Sequence, residues 1–218
     1  MTRTRIKFCG LTRVEDVERA CALGVDAVGF VCYARSPRYV PPSRLASLAR
    51  SLTPFVTPVL LFVDADAAQI DEAREHVPDA LLQFHGSESP VDCERHRRPY
   101  LRAVALGEGV DLLDWQRRFA TARALLVDTP TPGHGGSGRT FDWTRIPGRG
   151  ARTRPLVLAG GLTAGNVGAA IAAVRPDAVD VSSGVESERG VKSEALMRDF
   201  VAAVREADRA APDSAGDA

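Results

Sequence analysis

The sequence predicts an α/β fold of one domain, a (β/α)8 TIM barrel with a parallel eight-stranded core. Three observations predict it. Short apolar runs alternate with amphipathic segments along most of the 218 residues. The segments between successive runs have the length of the right-handed crossovers that join parallel strands. The first run also turns into its helix without the GxGxxG of an open, doubly wound sheet, which disfavours that runner-up fold.

The elements follow in order. Ile6 to Phe8 is a buried strand, with Cys9 at its carboxyl end and Gly10 turning the backbone into a helix. Val14, Val17, Ala20, Cys21 and Leu23 lie near helical spacing, and Gly24 stops that helix. Val25 to Val31 is the second strand. Ser36 to Val40 is a loop, and a helix opens at Pro42 or Ser43 and runs through Leu52. Strands are then expected over Thr57 to Val63, Ala80 to Phe84, Tyr100 to Ala105, Ala124 to Val127, Pro155 to Leu158 and Ala178 to Val181. Helices are expected over Ala67 to His76, Pro90 to Arg97, Val110 to Phe119, Thr163 to Val174 and Ser193 to about Ala207. The element after the sixth strand is irregular. Pro130 to Arg139 is rich in Gly and Pro, and only Phe141 to Ile146 has helical character. Residues 1–209 are expected to form the barrel, and residues 210–218 a frayed tail rich in Pro, Asp, Gly and Ala.

Composition narrows the function classes. Lys plus Arg and Asp plus Glu each number 28, for zero formal net charge. That balance disfavours nucleic acid and anionic membranes as partners. No apolar run is long enough to span a bilayer. Met1 to Arg5 lacks the apolar core of a signal peptide. The four cysteines, Cys9, Cys21, Cys32 and Cys93, form no CxxC pair and no zinc-finger spacing with histidine. Free thiols, no metal and a cytoplasmic location are expected.

In such a barrel the carboxyl ends of the strands converge on one rim, where active sites sit. Cys9, Arg38, His85, Asp128, Gly160, Gly161, Asp180, Ser183 and Gly184 all fall at or just after strand ends. A thiol beside Lys7 and near a helix start is placed where thiolate is favoured. Asp128 suits a general acid if burial raises its pKa, and equally a helix cap. Gly160-Gly161 and Ser183-Gly184 follow the seventh and eighth strands, where this fold builds phosphate sites from backbone N–H groups. Arg38 is suited to a carboxylate through two parallel hydrogen bonds. His85 is read as a polar rim contact, whereas His76, His96 and His134 are expected to be solvated. Gly133 to Gly138 reads as a flap with glycine hinges.

Several of these stretches together resemble the phosphoribosylanthranilate isomerase family. They are Lys7-Phe8-Cys9-Gly10-Leu11-Thr12, Ser36-Pro37-Arg38-Tyr39-Val40, Gln83-Phe84-His85-Gly86 and Asp128-Thr129. Gly135 to Trp143, Leu158-Ala159-Gly160-Gly161-Leu162 and Asp180 to Glu186 complete the set, with Gly190 and Lys192 downstream. The resemblance runs from about Ile6 to Phe200. It implies an Amadori rearrangement of N-(5'-phosphoribosyl)anthranilate in tryptophan biosynthesis, with Asp128 as general acid and Cys9, as thiolate, as general base. It further implies Arg38 on the anthranilate carboxylate, Gly160, Gly161, Ser183 and Gly184 around the phosphate, and His85 and Asp180 contacting substrate. Acid–base chemistry of this kind calls for no metal or cofactor. The partner is a small phosphorylated substrate, and the assembly a monomer or homodimer. Phe84, the Cys32 to Arg35 segment and His134 depart from the family pattern. Two other readings remain at this point. One is an isomerase of a different phosphoribosyl amine, against which a cysteine base argues. The other is a phosphosugar-binding protein without catalysis.

Overall fold

The computed structural model describes residues 3–128 and 142–210. Eight parallel strands pair in sequence order, and the first closes on the eighth. They are β1 (Arg5–Cys9), β2 (Ala27–Val31), β3 (Thr57–Phe62), β4 (Leu81–Phe84), β5 (Tyr100–Ala105), β6 (Ala124–Asp128), β7 (Leu156–Leu158) and β8 (Ala178–Val181). The helices are α1 (Val14–Ala22), α2 (Pro42–Arg50), α3 (Ala67–His76), α4 (Pro90–Glu94), α5 (Leu112–Arg118), α6 (Val167–Val174) and α7 (Glu194–Ala210). The barrel expected from the alternation is therefore the fold of the chain.

Strand periodicity sorts the core into two layers. Alternate strand residues such as Val59, Leu101, Ala103, Leu126 and Val157 pack together as one cluster filling the barrel. Their neighbours, including Phe8, Phe30, Leu60, Phe84, Val104 and Leu125, face the helices in a larger cluster. Phe8 meets Phe200 of α7 edge-on, with ring centroids 6.0 Å apart. Asp208 of α7 also accepts from Thr4 N (2.9 Å) and Thr4 Oγ1 (2.6 Å), tying the last helix to the start of β1.

Helix starts follow local chemistry. Asp66 and Gln69 form a reciprocal capping box at α3, as do Ser89 and Asp92 at α4. Pro42 stands in the first turn of α2, where its missing N–H costs nothing. The segment after β6 is irregular, as expected, with two 3-10 turns, Trp143–Arg145 and Arg149–Ala151. Other elements differ from expectation. The fourth helix ends at Glu94 rather than Arg97. The sixth helix starts at Val167 rather than Thr163. The Asn166 side chain accepts from Thr163 N (2.8 Å) and donates to Gly161 O (2.9 Å), holding residues 163–166 as a loop. A hairpin absent from the sequence reading, β9 (Glu186–Glu188) with β10 (Val191–Lys192), follows β8. The expected flap at 133–138, His134 and the tail from residue 211 lie outside the described residues.

Truncating Phe200, which is fully buried, is expected to cost about 3–5 kcal/mol. Denaturant unfolding of Phe200→Ala checks this, and a loss below about 1 kcal/mol would show that α7 is not part of the cooperative core.

Candidate active site

Barrel closure places the first site residues. Lys7 on β1 and Asp180 on β8 are register partners. The Lys7 Nζ donates to Asp180 Oδ1 at 2.8 Å, with both side chains buried. Cys9, two residues on, projects to the same side of β1. Its register partner on β2 is Gly29. A Cβ on Gly29 would stand 2.8 Å from Cys9 Sγ and 3.2 Å from Lys7 Nζ, so the missing side chain makes room for both groups.

The electrostatics at Cys9 reverse one expectation. Burial pushes the Cys9 thiol above its ordinary pKa, and the Asp180 carboxylate adds to that push. Lys7 and Lys192 pull the other way without cancelling it. The free site therefore favours the thiol, not the thiolate that the sequence neighbours suggested, because Cys9 is only 5% exposed. Burial also works against the Lys7 ammonium, but Asp180 and Cys9 outweigh it and hold the Lys7 pKa above its usual value.

Arg38 lies on the loop after β2 and reaches across to the loop after β8. Its Nε and Nη2 each donate to Glu186 at 2.7 Å, a bidentate pair. Lys192 Nζ donates to the same carboxylate (2.8 Å) and to Ser182 O (2.9 Å). Burial would raise the Glu186 carboxyl, but hydrogen bonds and charge from Arg38 and Lys192 hold it below the ordinary glutamate range. The Arg38 stem crosses Gly10, where any Cβ would overlap Arg38 Cδ. The residue after Cys9 thus seats the arginine beside the thiol.

Across the rim, Asp128 ends β6 and is mostly buried. His85 follows β4, and its Nε2 lies 3.4 Å from Asp128 Oδ2. The other ring nitrogen, Nδ1, lies 3.3 Å from Gln83 Nε2 inside the barrel. The turn carrying His85 is anchored from behind. Glu88 accepts from Gly86 N and Asp64 N, both at 2.9 Å, and from Arg102. Arg102 also donates to Phe84 O (2.8 Å) and Gly86 O (2.7 Å), while its guanidinium stacks over Trp115 and Phe119.

The two glycine loops meet. Gly160 and Gly161 adopt φ of 86° and 63°, a region open to glycine without strain. Ser183 and Gly184 lie in a 3-10 turn after β8. A Cβ on Gly184 would overlap the Leu162 carbonyl oxygen, so only glycine lets the second loop press against the first. These loops therefore share one corner of the rim, next to the end of β1.

Every site residue expected from the sequence lies on this rim. Sequence reasoning used Lys7 only as the cation beside the thiol and gave no site role to Gln83, Glu186 or Lys192. For the last two the one local signal is the turn-forming Gly190, which by itself does not mark a hairpin. His96, expected in solvent, is half-buried and stacks on Phe84 at 6.0 Å. Among the described residues no group of three or more His, Cys, Asp or Glu could hold a metal ion. No helix among them is long and apolar enough to cross a membrane.

Residues 6–203 match the family model described as N-(5'-phosphoribosyl)anthranilate (PRA) isomerase. The N-(5'-phosphoribosyl)anthranilate isomerase of Leptothrix cholodnii is 53% identical over 206 residues, 94% of this chain and 93% of the relative. The crystal structure of phosphoribosyl anthranilate isomerase from Thermotoga maritima superposes with a TM-score of 0.84 at 38% identity, covering 93% of this chain and 99% of that one. A phosphoribosyl anthranilate isomerase solved with reduced 1-(o-carboxyphenylamino)-1-deoxyribulose 5-phosphate gives a TM-score of 0.78 at 33% identity, again over 93% and 99% of the two chains. By its sequence and its barrel alike, the chain belongs to the N-(5'-phosphoribosyl)anthranilate isomerase family.

Proposed function

We propose that this protein converts N-(5'-phosphoribosyl)anthranilate to 1-(2-carboxyphenylamino)-1-deoxyribulose 5-phosphate in tryptophan biosynthesis, with Asp128 as general acid and Cys9 as general base. The observation that carries the reading is the placement of a carboxyl group and a thiol on one rim, on β6 and β1, beside the paired glycine loops. A relative solved with the reduced carboxyphenylamino-deoxyribulose phosphate supports the substrate class. The protein would act in the cytoplasm on this small phosphorylated ligand, as a monomer or as a homodimer. A Thermotoga maritima relative is described as dimeric.

The substrate phosphate binds at Gly160, Gly161, Ser183 and Gly184, where backbone N–H groups supply donors. Arg38 takes the anthranilate carboxylate, and His85 and Asp180 line the ribose. Asp128, as the neutral acid, gives its proton to the furanose ring oxygen, and the bond from that oxygen to C1' breaks to leave a Schiff base. Cys9 as thiolate then removes the proton on C2', and the electron pair moves toward the imine nitrogen to form an enolamine. Protonation at C1' and collapse of the C2' enol to a ketone complete the rearrangement. A thiolate with a raised pKa is scarce at neutral pH, but each one is a stronger base. Lys7, hydrogen-bonded to Asp180, is the cation beside it.

Turnover of freshly formed phosphoribosylanthranilate, followed by its fluorescence, tests the assignment. Asp128→Asn and Cys9→Ser are each expected to lower kcat by about 10²–10⁴-fold while ligand binding survives. Near-normal turnover in either variant would remove that residue from its role. A wild type that binds the product analogue without turnover would leave a phosphosugar-binding protein.

The raised Cys9 pKa fixes a sign. The thiolate fraction grows as pH climbs, so kcat/KM should increase from neutral pH into the alkaline range, and Cys9→Ser should lack that limb. A wild-type profile that falls over this range would contradict a thiolate base. Gly184→Ala, which forces the two glycine loops apart, is expected to raise KM about tenfold or more, ~1.4 kcal/mol of binding. An unchanged KM would move the phosphate elsewhere.

A further inference from the structure

Arg38 approaches Glu186 by one particular edge. One hydrogen from Nε and one of the two on Nη2 are spent on the carboxylate, at 2.7 Å each. Nη1 has no hydrogen bond among the described residues. A guanidinium offers two bidentate edges, and holding the Nε/Nη2 edge leaves the Nη1/Nη2 edge intact. Glu186 is itself immobilised: Lys192, with a fully buried side chain, donates to it and to the Ser182 carbonyl. Lys192 N in turn donates to Asp16 (3.2 Å), which Arg13 grips through two nitrogens at 2.9 and 2.7 Å. The chain from α1 through β10 to Arg38 is continuous and mostly buried.

We infer that Glu186, anchored by Lys192, is a positioning residue for substrate selection: it clamps the inner edge of Arg38 so that the outer Nη1/Nη2 edge is presented for the substrate's aromatic carboxylate. This rests on the proposed function of the site. A long arginine side chain left free loses considerable rotamer entropy when it binds an anion. The Glu186 clamp meets that cost during folding. With Lys192 on its other side, Glu186 leaves the cluster of Arg38, Glu186 and Lys192 one positive charge in excess, which suits an anionic ligand.

The test compares two substrates made by condensing ribose 5-phosphate with anthranilate or with aniline, which differ only in the carboxylate. The readout is the ratio of their kcat/KM values on the same sample, which does not depend on the fraction of protein folded. Glu186→Gln replaces one acceptor oxygen with an amide that points N–H at N–H, so the clamp opens. The ratio is expected to fall about tenfold, chiefly through KM for the anthranilate compound. Glu186→Asp, which keeps the charge, should recover part of it. In an Arg38→Met background Glu186→Gln should leave the ratio where Arg38→Met alone puts it. An equal decline on both substrates, or a ratio that holds in Glu186→Gln, would overturn the inference while leaving the isomerase reading intact. Failure of the wild type to turn over either compound would instead overturn the isomerase reading and this inference with it.

Discussion

The seam between β1 and β8 governs how the rest of the rim is arranged. Closing the barrel there sets Lys7 opposite Asp180 in register, and the two side chains meet at 2.8 Å in a nearly dry interior. A buried ion pair is seldom a large source of stability, because desolvation offsets the attraction. Removing one partner is another matter, since it strands a buried charge at a cost of about 3–5 kcal/mol. The pair is better understood as a fixed cation under Cys9. Without it, burial of the thiol would be opposed mainly by Lys192.

Charge on the rim is organised as shared carboxylates rather than isolated groups. Asp180 answers Lys7, and Glu186 answers both Arg38 and Lys192. On the opposite side His85 approaches Asp128, supported by Gln83 from within the barrel and by Arg102 and Glu88 from behind the turn. Around Cys9 three cations face two carboxylates, so the mouth is locally positive although the chain as a whole is neutral. A ligand with a phosphate at one end and a carboxylate at the other matches that distribution.

Most of the barrel was legible because strand and helix periods differ and the punctuation is strong. Ala67–His76, Tyr100–Ala105 and Ala178–Val181 have the expected bounds to the residue. Legibility failed where local pattern is overruled. The sequence reading starts a helix at Thr163, yet Asn166 ties residues 163–166 into a loop behind the positive-φ glycines. The β9–β10 hairpin is only five residues of strand, too short for periodicity to register. At the site, Cys9 looked like a favoured thiolate from its neighbour Lys7. The depth of burial, which no local pattern reports, reversed the sign.

The sequence by itself determined the order of elements, the eightfold alternation and the identity of the polar residues at the strand ends. These are properties of short stretches: a period, a glycine, a capping residue. Tertiary structure decided which of those residues touch. Lys7 and Asp180 are 173 positions apart and Arg38 and Glu186 are 148 apart, and only barrel closure brings each pair within hydrogen-bonding distance. It also decided which groups are dry, and therefore in which direction each is pushed along the pH scale. The free energy of an ion or a thiol depends on everything packed around it, and that surrounding is assembled from all eight strands.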